Sequence, residues 1–407
     1  MAAVSSASLE RLMSSFAPAL PATAVEDTRE SSEVFGVPWY LWVVAFASES
    51  IIVGVIWDIS WHRSIGRDSF WTPAHLAIYL GGTLAGLSCG WLVLQTTFAS
   101  LRRERALSVS FWGFRGPLGA WVCIWGAVAM IVSAPFDDWW HNAYGLDVKI
   151  LSPPHSVLAA GIYGIGMGTM LMTLARQNGA SSSDRSRLLP LLFVHAGGLM
   201  IVMVTTLFAE FIMAPNGHHS VLFFLVTAAT LPVLLVGISR ATRERWGATG
   251  ASAVYMGLML TMIWTLQLFP AQPMLAPILR QITHMVPPSF PLLLVVPALL
   301  IDLIVNRISS ESSRVRAICL AALAGLFFIG GLGFVQWPFA EFLLSDNARN
   351  FFFAADQWDY NSPPGMFQYE FWGRQLTAGA ASWISVIACF SAVVGLLWGN
   401  WMRRVRR

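Results

Sequence analysis

Charged residues are scarce in this chain. Asp, Glu, Lys and Arg make up 12% of its 407 residues, whereas about a quarter is usual in soluble proteins. Hydrophobic residues account for 56%, and the mean hydropathy is +0.61. This balance excludes a soluble domain and predicts an all-α, polytopic membrane protein that is surrounded by the lipid bilayer.

Cysteine is also rare, and the sequence lacks several familiar motifs. The four cysteines lie apart within apolar runs and form no CxxC pair, so neither a disulfide framework nor a thiolate metal site is indicated. There is no P-loop, no dinucleotide-binding fingerprint and no haem-attachment CxxCH motif. No basic patch indicates binding to nucleic acid.

The first 36 residues have neither a basic start nor an apolar core, so they do not resemble a signal peptide. They are rich in Ser, Ala, Pro and acids, which predicts a disordered cytoplasmic tail over residues 1–36. The membrane region then begins near residue 37.

Ten apolar runs follow, each long enough to cross a bilayer, for which about 20 residues are needed. Together they predict about ten transmembrane helices arranged as five hairpins. The runs cover residues 38–60, 73–99, 117–137, 153–175, 188–213, 219–239, 250–269, 288–306, 316–340 and 375–401.

The arginines predict the orientation, because short cytoplasmic loops carry the positive excess. Clusters follow every even-numbered run, near residues 102–105, 176–187, 240–245, 307–316 and 403–407. Both termini are therefore expected in the cytoplasm, with a bacterial inner membrane as the location. The loops inside each hairpin then face the exterior, and these loops carry the Asp and His residues.

One sequence pattern occurs twice, in the first and second hairpins. Both copies read D-x-x-W-H-x-x-x-G-x-D, followed after four or five residues by P-x-H. The first copy runs from Asp58 to His75 and the second from Asp137 to His155. The repeat predicts two related metal sites within a four-helix region, 37–175, and leaves a six-helix region, 176–407, without an assigned role.

The spacing of the repeated residues suits metal binding. Residues four apart lie on one face of a helix, so Asp58 and His62 are expected to point the same way, as are Asp137 and His141. A proline fits the first turn of the returning helix, which places His75 and His155 near its start. Two imidazoles and a carboxylate can hold a transition metal and leave coordination positions open. A bound cation also explains an ionised Asp at membrane depth.

Polar residues outside the two Asp/His/His sets have structural roles as alternatives to metal binding. Asp68 and Asp147 are expected as turn residues or as hydrogen-bond partners of the imidazoles. In the third hairpin Glu210, His218 and His219 are candidates for an additional site, with interfacial polar residues as the alternative. His195, within the fifth run, is a functional candidate as a polar group that faces the helix bundle, but the expected role is that of a hydrogen-bonded structural histidine.

The order and spacing of the ligands resemble the two metal sites of the C subunit of copper membrane monooxygenases, a family that includes particulate methane and ammonia monooxygenases. The resemblance covers about residues 38–175. It implies copper, partner membrane subunits, and oxidation of a small apolar substrate with dioxygen. Asp58, His62 and His75 match the first site, and His141 and His155 match the second. At position 137 the family typically has Asn where this chain has Asp.

Three function classes remain open. The chain is a copper-dependent oxidoreductase subunit, a metal transporter or chaperone, or a structural or assembly protein with metal sites; iron and zinc also suit the donor set. A transporter is expected to continue its ionisable residues through the membrane midplane. The first four apolar runs are interpreted as apolar beyond their external ends, which favours the other two classes.

Overall fold

The structure is a computed structural model, and it describes residues 33–98, 105, 108–145, 152–179, 186–309, 311–363, 365 and 369–407. Most of the predicted cytoplasmic tail, 1–32, lies outside the described residues, as does Asp147. The predicted all-α, polytopic fold is confirmed. In the described ranges the only strands are two very short hairpins, β1 (Glu33–Val34) with β2 (Val37–Pro38), and β3 (Val109–Phe111) with β4 (Phe114–Gly116).

Eleven helices form the body of the described chain, and nine of them are long and apolar enough to cross a membrane. In chain order they are α1 (Trp39–Ser64), α2 (Pro73–Phe98), α3 (Leu118–Tyr144), α4 (Pro153–Gly179), α5 (Leu188–Leu207), α6 (Ala209–Ile212), α7 (Val221–Ala241), α8 (Gly247–Leu266), α9 (Val295–Val305), α10 (Arg314–Leu343) and α11 (Ala378–Met402). The short helices are α6 and α9.

The helix starts follow from local sequence. α2 and α4 begin at Pro73 and Pro153, as predicted, because proline has the helical φ and needs no partner for an N–H at that position. α7, α10 and α11 begin after Ser or Thr residues whose side chains accept a hydrogen bond from a first-turn amide. These starts set where the returning helices present their first side chains.

The eighth predicted span differs from its prediction. Residues 288–306 were expected to be one helix, but only Val295–Val305 is helical. Pro287, Pro288 and Pro291 precede it and prevent a regular helix there. Two amides of the extended stretch find side-chain partners, since Leu292 N–H donates to the hydroxyl of Tyr255 at 3.0 Å and the next amide donates to a glutamine side chain.

The first two hairpins pack as predicted, α1 on α2 and α3 on α4. Glycines allow α3 and α4 to approach closely, since a Cβ added at Gly126 would meet the carbonyl oxygen of Gly161, and one added at Gly119 that of Gly168. The later helices do not pair in sequence order: α5 packs mainly on α8 and α4, and α7 mainly on α11. The two helices of the third predicted hairpin, α5 and α7, therefore pack mainly on other helices and not on each other.

A buried carboxylate joins three helices in the second half of the chain. Asp302 of α9 is fully buried and accepts four hydrogen bonds. Ser239 Oγ donates to it at 2.5 Å, Ala248 N–H at 3.1 Å, and the amide and hydroxyl of Thr249 at 2.8 and 2.7 Å. Asp302 thus caps the start of α8 from a neighbouring helix. The residue that precedes α8 provides no side-chain cap.

Candidate metal centre

The first repeated motif brings four donor side chains together where α1 ends and α2 begins. Asp58 and His62 lie one turn apart near the end of α1, His75 lies in the first turn of α2, and Asp68 lies in the loop between the helices. Gly66 follows the helix end with φ +85°, a left-handed conformation that favours glycine and turns the chain back toward the site.

The distances within this first site suit metal coordination. His75 Nε2 lies 3.1 Å from Asp58 Oδ1 and 3.4 Å from Asp68 Oδ2. His62 Nε2 lies 3.5 Å from Asp68 Oδ2 and 3.8 Å from Asp58 Oδ2. In the part of the chain that the structure describes, Asp58, Asp68 and His75 form the one group of three whose ligand atoms all lie within 4.8 Å of one another. Asp68 is therefore placed as a possible direct ligand and not only as a hydrogen-bond partner of an imidazole.

Neighbouring groups orient the side chains of the first site. His75 Nδ1 donates to the carbonyl oxygen of Ser69 at 2.9 Å, so Nε2 is the ring nitrogen that faces the carboxylates of Asp58 and Asp68. Asp58 Oδ1 is buried, and apart from its ion-pair contact of 3.1 Å with His75 Nε2 it has no hydrogen-bond partner among the described residues. The imidazole of His62 holds the pKa of the loop carboxyl Asp68 below its usual value. Asp68 is therefore ionised at neutral pH.

The second repeated motif forms a matching arrangement between α3 and α4. Asp137 Oδ2 lies 3.3 Å from His141 Nε2, and Asp137 Oδ1 lies 3.5 Å from His155 Nε2. Asp137 Oδ1 is buried and, like Asp58 Oδ1, accepts no hydrogen bond from a described residue. Gly145 has φ +90° and matches Gly66. The second hairpin therefore repeats the placement of one Asp between two His, whereas the group with three ligand atoms within 4.8 Å of one another occurs, among the described residues, in the first hairpin.

The two sites differ in what covers them. Loops from the second half of the chain, 267–294 and 344–363, contact the end of α1 beside the first site. The Arg63 guanidinium pairs with Asp359 and donates to the carbonyl of Pro287 at 3.0 Å. Ser60 Oγ donates to the carbonyl of Val286 at 2.6 Å. These loops hold the first site in place, a role for residues 176–407 that the sequence did not indicate.

Gly66 gives a direct test of this contact. Alanine is strained at Gly66 and at Gly145, because both have positive φ. A Cβ at Gly66 would also overlap the hydroxyl of Tyr360, whereas no described atom lies within 4 Å of one at Gly145. We expect Gly66→Ala to lower the melting temperature more than Gly145→Ala, and to weaken metal binding at the first site only.

The control removes the clashing atom. Tyr360→Phe keeps the ring but lacks the hydroxyl, so the double variant Gly66→Ala, Tyr360→Phe should recover part of the loss, while Tyr360→Phe alone changes little. Thermal melts and metal content of the four proteins provide the measurements. Equal melting temperatures for Gly66→Ala and Gly145→Ala would show that the Tyr360 loop does not support the first site.

The third-hairpin candidates do not meet in one site. His218 is fully buried, and its Nε2 donates to the carbonyl of Ile212 at 3.0 Å while Nδ1 accepts from Gln336 at 3.0 Å. Burial lowers the pKa of His218 to about 4, so it is neutral. His219 is stacked between two aromatic rings, those of Trp337 and Phe371, and Glu210 is exposed. This geometry favours the structural alternative for all three.

One ionisable pair was missed in the sequence. The interpretation of the first four helices as apolar beyond their external ends is wrong for α1, because Glu49 lies near its middle and pairs with His195 of α5 at 2.8 Å. A single Glu in a long apolar run was the available signal. Glu49 precedes Asp58 by nine residues, which is about half a turn away around the helix, so the pair faces away from the metal site.

Comparisons with protein-family models, with curated proteins and with solved structures find no match to this chain. The chain is an integral membrane protein of apolar helices, and one Asp/Asp/His group at a helix end has the geometry to hold a metal ion.

Proposed function

We propose that the chain binds one transition-metal ion in each of its first two hairpins and belongs to a copper-dependent membrane monooxygenase. The observation that carries the proposal is the group of Asp58, Asp68 and His75, which come from separate segments and whose ligand atoms all lie within 4.8 Å of one another. His62 Nε2 lies beside this group, 3.5 Å from Asp68 Oδ2. The second hairpin places Asp137, His141 and His155 in a similar arrangement. Such a repeat is not expected of polar side chains that meet by chance at a membrane surface.

The donor groups fit such a metal. Each site has a buried carboxylate oxygen that accepts no hydrogen bond from a described residue, a costly arrangement that a bound cation relieves. Imidazole and carboxylate suit copper, iron and zinc, and among these divalent ions copper binds such donors most tightly. Asp58, His62 and His75, with Asp68, would hold the first ion. Asp137, His141 and His155 would hold the second.

The reaction class follows from open coordination and from the surroundings. Bound copper would supply the activation of dioxygen. The side chains of this chain hold the ion, and the neighbouring aromatic residues Phe70, Trp71 and Tyr79 provide apolar surface on which a small apolar substrate can be oriented. The Phe70 and Tyr79 rings lie 5.0 Å apart. The membrane supplies such a substrate directly, and partner subunits are expected to supply electrons.

Orientation and location complete the proposal. The arginine distribution supports an external position for both sites in a bacterial inner membrane, with both termini in the cytoplasm. The site is then reached by ions from outside the cell. Residues 176–407 contribute the loops that cover the first site.

The test of catalysis is dioxygen uptake by reduced, copper-loaded membranes that contain the protein and its co-purifying partners. Uptake should depend on a small alkane or alkene and should be lost in Asp58→Ala. Asp137→Asn, which installs the residue typical of the resembled family, should retain metal while changing activity or metal preference. Its matched variant, Asp58→Asn, should reduce uptake because the first site normally has a carboxylate.

A different result would favour the structural class. If the protein holds copper but takes up no dioxygen with any small apolar substrate, and no redox partner co-purifies, the sites serve stability. The transporter class predicts instead that metal moves across vesicle membranes and that Glu49→Gln, in the middle of α1, stops this movement. The position of Glu49 on the far face of α1 argues against that outcome.

A further inference from the structure

A second polar site lies in a groove between α1 and α5, remote from the metal centre. Its two ionisable side chains are Glu49 of α1 and His195 of α5, with His195 Nε2 2.8 Å from Glu49 Oε2. Nine residues of α1 separate Glu49 from Asp58, which corresponds to about 13 Å along the helix axis. The pair therefore lies well inside the transmembrane region.

The walls of this groove are apolar and aromatic. Phe46 and Trp42 line it on α1, about one and two turns from Glu49, and Leu188 and Leu191 line it on α5. The volume is about 400 Å³, which is within the range of small-molecule sites. Phe46 and Leu191 are 56% and 52% exposed, so the groove opens on the outer surface of the helix bundle. A ligand would enter from the bilayer.

The polar pair is incompletely satisfied by the protein. Glu49 and His195 are each about one third exposed, and among the described residues each has only the other as a polar partner. Hydrocarbon offers no water to complete their hydrogen bonds. Asp302, the other carboxylate in the middle of a described helix, differs because four protein donors satisfy it.

We propose that this groove binds a lipid-soluble molecule with a hydroxylated aromatic ring, that is, one of the hydroquinone class. With His195 Nε2 turned toward Glu49, a phenolic hydroxyl can donate to the free oxygen of Glu49 or to the lone pair of His195 Nδ1, so its proton finds an acceptor at either side chain. Trp42 and Phe46 provide aromatic surface for the ring. An apolar tail can leave the groove past Phe46 and Leu191 into the bilayer. A phospholipid chain alone would not use the pair.

Binding is tested with the purified full-length protein in lipid nanodiscs. The probe is a decyl-substituted hydroquinone carrying a photoreactive group, and its cross-links are mapped by mass spectrometry. Cross-links should fall in residues 42–49 and 188–195. Glu49→Gln and His195→Phe should each weaken binding by about ten-fold, since each removes a hydrogen bond to a charged or polar partner.

Two further variants separate shape from polarity. Leu191→Trp fills the groove at an exposed position and should block binding while leaving the pair intact. Leu222→Trp, at a similarly exposed position of α7, is the matched control and should bind normally. Decylbenzene, which lacks oxygen, should compete poorly with the probe.

The proposal is wrong if the probe cross-links elsewhere, if decylbenzene competes equally well, or if the Glu49 and His195 variants bind normally. It is also wrong if the groove is covered by a transmembrane helix of a second copy or of a co-purifying protein that the probe does not displace. Metal content distinguishes this result from failure of the proposed function, because Glu49→Gln should keep its metal and His75→Ala should keep its hydroquinone binding.

Discussion

Replacing His75 with alanine is expected to remove the metal ion of the first site and leave that of the second, so the content should fall from about two ions per chain to about one. His155→Ala should have the converse effect, and the double variant should retain almost none. The reason is that each imidazole supplies the only donor that the returning helix contributes to its site. Elemental analysis after dialysis against a weak chelator measures this directly.

Two additional variants sharpen this test. His284→Ala is the control, because His284 is an exposed loop residue whose ring hydrogen-bonds to the side chain of Thr283. Asp68→Asn asks whether Asp68 binds the ion or only orients an imidazole; loss of an orienting partner typically costs 10–100-fold in affinity, and loss of a direct ligand more. If His75→Ala and His155→Ala each retained as much metal as the wild type, these histidines would not be metal ligands.

The sequence predicted most of the transmembrane helices because each depends on information within its own run. A stretch of about 20 apolar residues is sufficient to predict a helix in a bilayer, and prolines at 73 and 153 mark helix starts. The run at 288–306 failed for an equally local reason. Its prolines prevent a helix, although its hydropathy is that of a transmembrane segment.

The candidate metal sites were also predictable, because a four-residue spacing on a helix and a proline-led return are local features. Asp58, His62 and His75 were expected together, and the structure places them together. Asp68 was expected in a supporting role. Its position among the donors depends on the path of the loop after Gly66, and residue types alone do not determine that path.

Contacts between distant parts of the chain were beyond the sequence. Arg63 pairs with Asp359 across almost three hundred residues, and Glu49 pairs with His195 because α1 and α5 pack side by side. Pairing of this kind depends on which helices become neighbours, and here α5 packs on α8 and α7 on α11, against the order of the chain. A single sequence contains little information about such neighbours.

Replacing Asp302 with alanine is expected to cause the largest loss of stability of any single substitution considered for this protein, about 3–5 kcal/mol. The carboxylate accepts four hydrogen bonds, and the helix α8 has no other side-chain cap. Its removal leaves the amides of Ala248 and Thr249 without partners at the helix start, where the positive end of the helix dipole also favours a carboxylate. The apparent melting temperature in detergent should fall accordingly.

Graded variants separate the capping role from mere packing. Ser239→Ala removes one of the four donors and should cost about 1 kcal/mol. Asp302→Asn keeps the shape but places an amide N–H₂ against donors, so it should fall between Ser239→Ala and Asp302→Ala. Because Asp302 is distant from the repeated motifs, the protein that remains folded should retain its full metal content. If Asp302→Ala melted like wild type, α8 would have to be held by packing alone, and its buried amides would need another partner.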